Sequence, residues 1–337
     1  MLGKRSGINS MCSVDKIEHL EIRVFVIGYK KEGEAIVVLL RDKTKDKVLY
    51  SMAIDCYSYK GSMKSNRNLT DEILRRYHVE NLSVLCWTHP HMDHSKDLLK
   101  IFHKYCRVST KVIKPQFFDN KGTDIIAVND YKTKRLVNSL FRLNALNRST
   151  VESANASPRG YMMTEEFDIE AGNAETKSVQ VLLMSPINSI LQQYFKEGRI
   201  LEDLNGISVA LILDVDGYCM MFAGDTTNEH IDLMNKRKLR VCRLVKTPHH
   251  TSLTARSMVN YLEKEKLDTV CTTIKGIKLP VDDVVDLYKE KTDYFFTTGY
   301  KETNKQQKYY GIIEYVYSFE RPNIHMTVNL YGNAHQI

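Results

Sequence analysis

Between Thr88 and His94 the chain reads Thr-His-Pro-His-Met-Asp-His. Only 11 histidines occur in 337 residues, so three of them beside an aspartate form a concentration of nitrogen and oxygen ligands suited to zinc, manganese or iron. Side chains alternate on an extended segment, which puts His89 and His91 on one side. Asp93 and His94, entering a helix, turn toward a second position beside the first. A histidine-rich surface loop is the bland reading. A closed structural zinc site wants four ligands, commonly including cysteine, and cysteine is absent from this run.

Two later segments carry compatible chemistry. The apolar run Cys219 to Ala223 enters Gly224-Asp225-Thr226, where glycine permits a tight turn and leaves Asp225 at a strand tip, suited to bridging two metals. The segment Leu244 to Ser252 reads Leu-Val-Lys-Thr-Pro-His-His-Thr-Ser, again a strand ending on polar residues. A strand ending in Gly-Asp, or a lone histidine pair, is weak by itself. Three strand ends bearing His or Asp in this order reinforce one another.

The surrounding pattern predicts the elements that position them. Leu20 to Ile27, Glu34 to Arg41 and Val48 to Cys56 form a meander ending at Asp55. Asn68 opens a helix whose Leu69, Ile73, Leu74 and Tyr77 share a face. A buried strand from Leu82 to Trp87 delivers the histidine cluster, and a helix from Ser95 to Tyr105 follows it. Further strands are predicted at 178–184, 208–215, 218–223, 241–247, 270–274, 294–297, 311–319 and 325–330. Asp214-Val215-Asp216-Gly217 makes a hairpin turn, and helices are expected at 227–235, 255–265 and 281–290. Another helical segment is expected around Tyr131 to Leu146. No internal repeat is visible.

Composition fits this organisation. Hydrophobic residues make up 43% and charged residues 26%, ordinary for a folded chain with a sizeable core. No apolar run approaches the roughly 20 residues of a membrane span, and residues 1–13 lack a secretory h-region; a cytoplasmic location without membrane contact is expected. Seven cysteines are scattered singly, as expected for reduced, buried thiols. The net charge of +7 is mildly basic, with concentrations at 111–160 and from Lys236 through Arg243 to Lys246. These are compatible with polyanion binding and equally with a solvated face or a helix C-terminus.

Taken together, the H-x-H-x-D-H run, Gly224-Asp225 and Pro248-His249-His250-Thr251-Ser252 resemble the metallo-β-lactamase superfamily. Within it they are similar to the hydrolase domain of competence DNA-uptake proteins, whose other motif positions here read Gly33-Glu34, Ile54-Asp55 and Asn205 to Ser208. The resemblance implies an α/β fold, a four-layer αββα sandwich, over residues 18–332, after an N-terminal extension (1–17) and with the basic insertion near 111–160. It implies one or two divalent metal ions, zinc or manganese, held by His89, His91, Asp93, His94, Asp225 and either His249 or His250. The superfamily's middle histidine is replaced by Ser185-Pro186, a later His-Pro by Leu279-Pro280, and a glycine by Thr251, which is expected to narrow the approach.

The expected chemistry is hydrolysis by water whose pKa the metal lowers from about 15.7 toward about 7. Asp93 is expected to orient or deprotonate this water, and His250, if not a ligand, to protonate the leaving group. Lys246, Thr251 and Ser252 are expected near substrate oxygens. A phosphodiester, especially nucleic acid, is the first substrate expected. The alternatives are a small-molecule lactam, thioester, cyclic nucleotide or phosphocholine ester, and a metal-stabilised module of a larger assembly.

Overall fold

The computed structural model describes residues 20–30, 32–60, 66–115, 150–154, 156, 163–171, 175–197, 204–276, 278–299, 309–320 and 323–337. The N-terminal extension, the helix expected around Tyr131 to Leu146 and most of the basic insertion lie outside them.

Apolar residues at every position, rather than every second one, mark strands covered on both faces, and the long runs here form two such sheets. The first comprises β1 (Leu20–Tyr29), β2 (Glu34–Asp42), β3 (Lys47–Ile54), β6 (Val84–Cys86), β7 (Lys111–Lys114), β8 (Thr150–Ser153), β16 (Tyr310–Glu320) and β17 (Asn323–Gly332). Its order is β17-β16-β1-β2-β3-β6-β7-β8. The second comprises β9 (Met163–Ala171), β10 (Glu175–Ser185), β11 (Ala210–Val215), β12 (Tyr218–Phe222), β13 (Cys242–Lys246), β14 (Thr269–Thr272), β15 (Phe295–Thr297) and β18 (His335–Gln336). Its order is β18-β15-β14-β13-β12-β11-β10-β9. A small ribbon, β4 (Tyr59–Lys60) with β5 (Asn66–Arg67), stands apart.

Alternation distributes the core into layers. In β1, Ile22, Val24 and Val26 join Leu211, Leu213, Met220 and Phe222 between the sheets. Phe25, Ile27 and Tyr29 face outward against Leu69, Ile73, Leu98 and Phe102, from the helices Leu69–Arg76 and Leu98–Tyr105. On the far side Ile212, Met221 and Val245 meet Ile231, Met258, Val284 and Tyr288. The result is helix, sheet, sheet, helix: the αββα sandwich expected from the sequence.

Helix Leu69–Arg76 begins where expected, with Asn68 accepting from Asp71 N, a standard N-cap. The Asp216-Gly217 turn has φ of 48° and 91°, the paired positive values of a type I′ hairpin. Several elements differ: β7, β8, β9 and the helix Asn188–Glu197 are not among those expected, and the helix expected from Ser95 begins at Leu98. Residues 253–261 are 3-10 rather than α-helical, and the helix expected at 227–235 reduces to Asn228–Ile231. The closing hairpin, β16 and β17, joins the first sheet through β1, so the halves are not sequential sheets. All six described cysteines are buried and unpaired. Among the described residues no helix is long and apolar enough to cross a membrane.

Candidate metal centre

β3, β6 and β7 run parallel in one sheet, and β12, β13, β14 and β15 in the other. The C-terminal ends of β3, β6, β12, β13 and β14 therefore share an edge of the sandwich with the start of β2. Strand ends present polar side chains on a rigid frame, and at this edge they converge.

The frame is tied together there. Thr88 N and Oγ1 donate to Asp55 Oδ1 and Oδ2 at 2.7 and 2.6 Å, and Val209 N donates to Thr88 O at 2.9 Å, linking the sheets. Gly224 has φ of 52°, and a Cβ on it would stand 2.6 Å from Ser208 Oγ and 2.7 Å from Val209 O. Only glycine fits this turn, which leaves Asp225 aimed at the histidines.

Four imidazoles present Nε2 to one carboxylate oxygen. From Asp225 Oδ2, the Nε2 atoms of His94 and His250 lie 3.5 Å away, that of His89 3.8 Å and that of His249 4.0 Å. Each of these rings has its Nδ1 engaged. His94 Nδ1 lies 2.6 Å from Asp55 Oδ2, His89 Nδ1 3.0 Å from Thr88 Oγ1, His250 Nδ1 2.6 Å from Thr273 Oγ1 and His249 Nδ1 2.8 Å from Thr254 Oγ1. Fixing one ring nitrogen sets the tautomer and aims the other, the arrangement used around metal-ligating histidines.

Two overlapping groups result. Glu34, His94, Asp225 and His250 offer ligand atoms within 4.8 Å of one another, as do His89, His91 and Asp225. Asp225 is common to both groups. Asp93 Oδ2 lies 3.7 Å from His94 Nε2 and 3.8 Å from His250 Nε2. Both oxygens of Asp225, and Nε2 of His94 and of His250, are buried without a hydrogen-bond partner. Such atoms are costly unless something satisfies them, and a divalent cation fits this donor set.

The electrostatics agree. Glu34, Asp55, Asp93 and Asp225 are all buried; the Lys246 ammonium meets Glu34 and that of Lys275 meets Asp93. Burial opposes ionisation of Asp225, yet His250, His94 and His89 hold its carboxyl well below the usual range. For Asp93 burial is likewise outweighed, by His94 first. Burial opposes charging of His94, but Asp225, Asp55, Asp93 and Glu34 push it well above an ordinary imidazole. His89 moves the other way, lowered by burial and by His94. The field of these carboxylates thus favours a cation at their centre.

His249, His250 and Thr251 have φ of 47°, 50° and 64°. Left-handed backbone is uncommon outside glycine and an outlier for a β-branched residue, and here it turns both imidazoles inward. Both histidines of the pair therefore reach Asp225.

Lys246, Thr251 and Ser252, expected near substrate oxygens, each have a partner within the protein. By strand alternation Lys246 points between the sheets; its side chain is 0% exposed, with Nζ 2.7 Å from Glu34 Oε1. Thr251 is buried with its hydroxyl 2.8 Å from Thr247 Oγ1. Ser252 Oγ accepts from Thr254 N at 3.3 Å. The basic run lies elsewhere: Arg243 is the second residue of β13 and Lys246 its last, putting the cations before β13 at its far end. There Lys238 pairs with Asp214, Arg240 with Glu263 and Arg243 with Asp268, while Lys236 lies over the Tyr261 ring.

Glu34, Asp55, Thr273 and Lys275 are participants to which the sequence reading gave no role. Glu34 and Asp55 stood within the motif resemblance and were legible as positions. Thr273 and Lys275 had no local signal. Ser185, where the middle histidine was expected to be missing, bonds Thr226 Oγ1 at 2.9 Å.

No family model and no curated protein sequence matches the chain. Among solved structures it is similar to one described as a new diphosphatase from the PhnP family, with a TM-score of 0.35 and 10% identity, covering 75% of this chain and 85% of that one. The assignment of the site rests on its own side-chain geometry.

Proposed function

We propose that the protein is a metal-dependent hydrolase whose substrate is a phosphoric ester, with a phosphodiester as the first candidate. One observation carries the reading: four imidazole Nε2 atoms lie within 3.5 to 4.0 Å of Asp225 Oδ2, in a buried site where both oxygens of Asp225 lack a hydrogen-bond partner. On one side His89, His91 and Asp225 would hold an ion. On the other His94, His250, Asp225 and Asp93 would hold a second, with His249 reaching the shared carboxylate. Zinc and manganese both suit these ligands.

A divalent ion here would supply Lewis acidity toward a phosphoryl or carbonyl oxygen and make hydroxide available near neutral pH. The protein's part is positioning. Asp55 and Thr273 fix the rings of His94 and His250, and Glu34 stands 3.2 Å from His250 Nδ1. Lys246 balances the Glu34 charge. Asp93, at the cluster with Lys275 beside it, would orient the attacking water or accept its proton. His250 is fully buried, which suits a ligand better than a proton donor to a leaving group.

A small phosphate ester is the second reading, and the position of the basic run at the far end of β13 favours it over a long polymer. Manganese- or zinc-loaded protein incubated with linear DNA, RNA, a cyclic dinucleotide and a β-lactam, alongside His89→Ala, tests the assignment. Cleavage of a phosphodiester by wild type and not by His89→Ala is the expected result. Cleavage of the lactam alone would overturn the substrate class.

A further inference from the structure

With Lys246 sealed against Glu34 and the cationic run distant, a side-chain cation for a substrate anion at this edge has to come from another residue. Lys275 follows β14, the strand whose end also supplies Thr273. Its Nζ lies 2.9 Å from Asp93 Oδ2, and its side chain is 31% exposed where that of Asp93 is 7%. It thus connects a buried carboxylate of the cluster with solvent. Its backbone is held on one side, where Ile274 N donates to Thr298 Oγ1 at 3.3 Å. On the other, Gly276 with φ of 67° turns the chain away. Lys96, a second lysine near this edge, has its ammonium 4.6 Å from the centre of the Tyr57 ring.

We propose that Lys275 binds an anionic oxygen of the substrate at the mouth of the cluster, so that the site selects anionic phosphoryl groups over neutral esters and amides. The proposal rests on the metal-hydrolase reading above. A divalent ion beside Asp93 adds positive charge next to the same carboxylate and weakens its hold on the ammonium by Coulomb repulsion. The lysine stem is flexible, and Nζ then needs a new counter-charge, which a phosphoryl oxygen seated at the cluster supplies. A charge-assisted bond of this kind contributes on the order of tenfold or more in affinity.

The test is calorimetric titration of inorganic phosphate into manganese-loaded protein, with metal per chain measured on each sample. Lys275→Met is expected to weaken phosphate binding about tenfold or more with metal content unchanged, and Lys275→Arg to retain most of it. Equal phosphate affinity in wild type and Lys275→Met would overturn the proposal, as would failure of metal-loaded wild type to bind phosphate. Loss of metal in Lys275→Met would show a purely structural partner of Asp93 and also overturn it. A wild type that takes up no metal would instead sink the underlying hydrolase reading, and the proposal with it.

Discussion

Asp55 Oδ2 lies 2.6 Å from Nδ1 of His94, both side chains being almost fully buried. The contact determines which ring nitrogen faces Asp225. Asp55→Asn keeps the shape but replaces a carboxylate with an amide that can also donate, so the ring loses its fixed tautomer. Metal affinity should fall about 10- to 100-fold with little change in circular dichroism. Undiminished affinity in a metal titration would remove Asp55 from the site.

Asp225 joins both groups of ligands. If it holds metal, saturating zinc or manganese at about 100 times Kd should stabilise wild type by roughly 2.7 kcal/mol. For Asp225→Ala the increment should vanish. Thermal melts with and without a chelator measure it, and an equal shift in both proteins would place the bound metal elsewhere.

Glu34 and Lys246 are 2.7 Å apart, with side chains 2% and 0% exposed. Lys246→Met leaves a buried carboxylate without its ammonium and should cost about 3–5 kcal/mol in urea unfolding. Glu34→Gln with Lys246→Met should recover part of that. If the single variant costs nothing measurable, the pair is not the charge balance described above.

His230 offers a pH signature away from the metal groups. Its Nδ1 accepts from Ile187 N at 2.9 Å, and burial lowers the imidazole from 6.5 to about 4. The folded state binds its proton less readily than the unfolded one. Stability from this group is therefore present above pH 6.5 and lost as pH falls toward 4, by roughly 3 kcal/mol in all. His230→Asn retains an acceptor near Nδ1 and should flatten the dependence between pH 7 and 4.5 in metal-free protein. Unfolding midpoints with the same slope in both proteins would contradict it.

By itself the sequence determined most of the long apolar strands and several helices, because apolar runs and N-cap and turn residues act locally, while β7, β8, β9 and the helix Asn188–Glu197 escaped it. It also determined the His89 to His94 cluster, whose members are close in the chain, and the strand ends at Asp225 and His249-His250. Only the tertiary structure decided what meets them. Glu34, Asp55, Thr273 and Lys275 come from strand ends far apart in sequence, and parallel pairing of β3 with β6 and of β12 with β13 and β14 brings those ends to one edge. Strand alternation turned Lys246 into the core, against Glu34. The direction of β13 carried the basic run to its other end, where ion pairs hold much of it. Charge in a sequence states how much attraction exists; the path of the backbone decides where it acts.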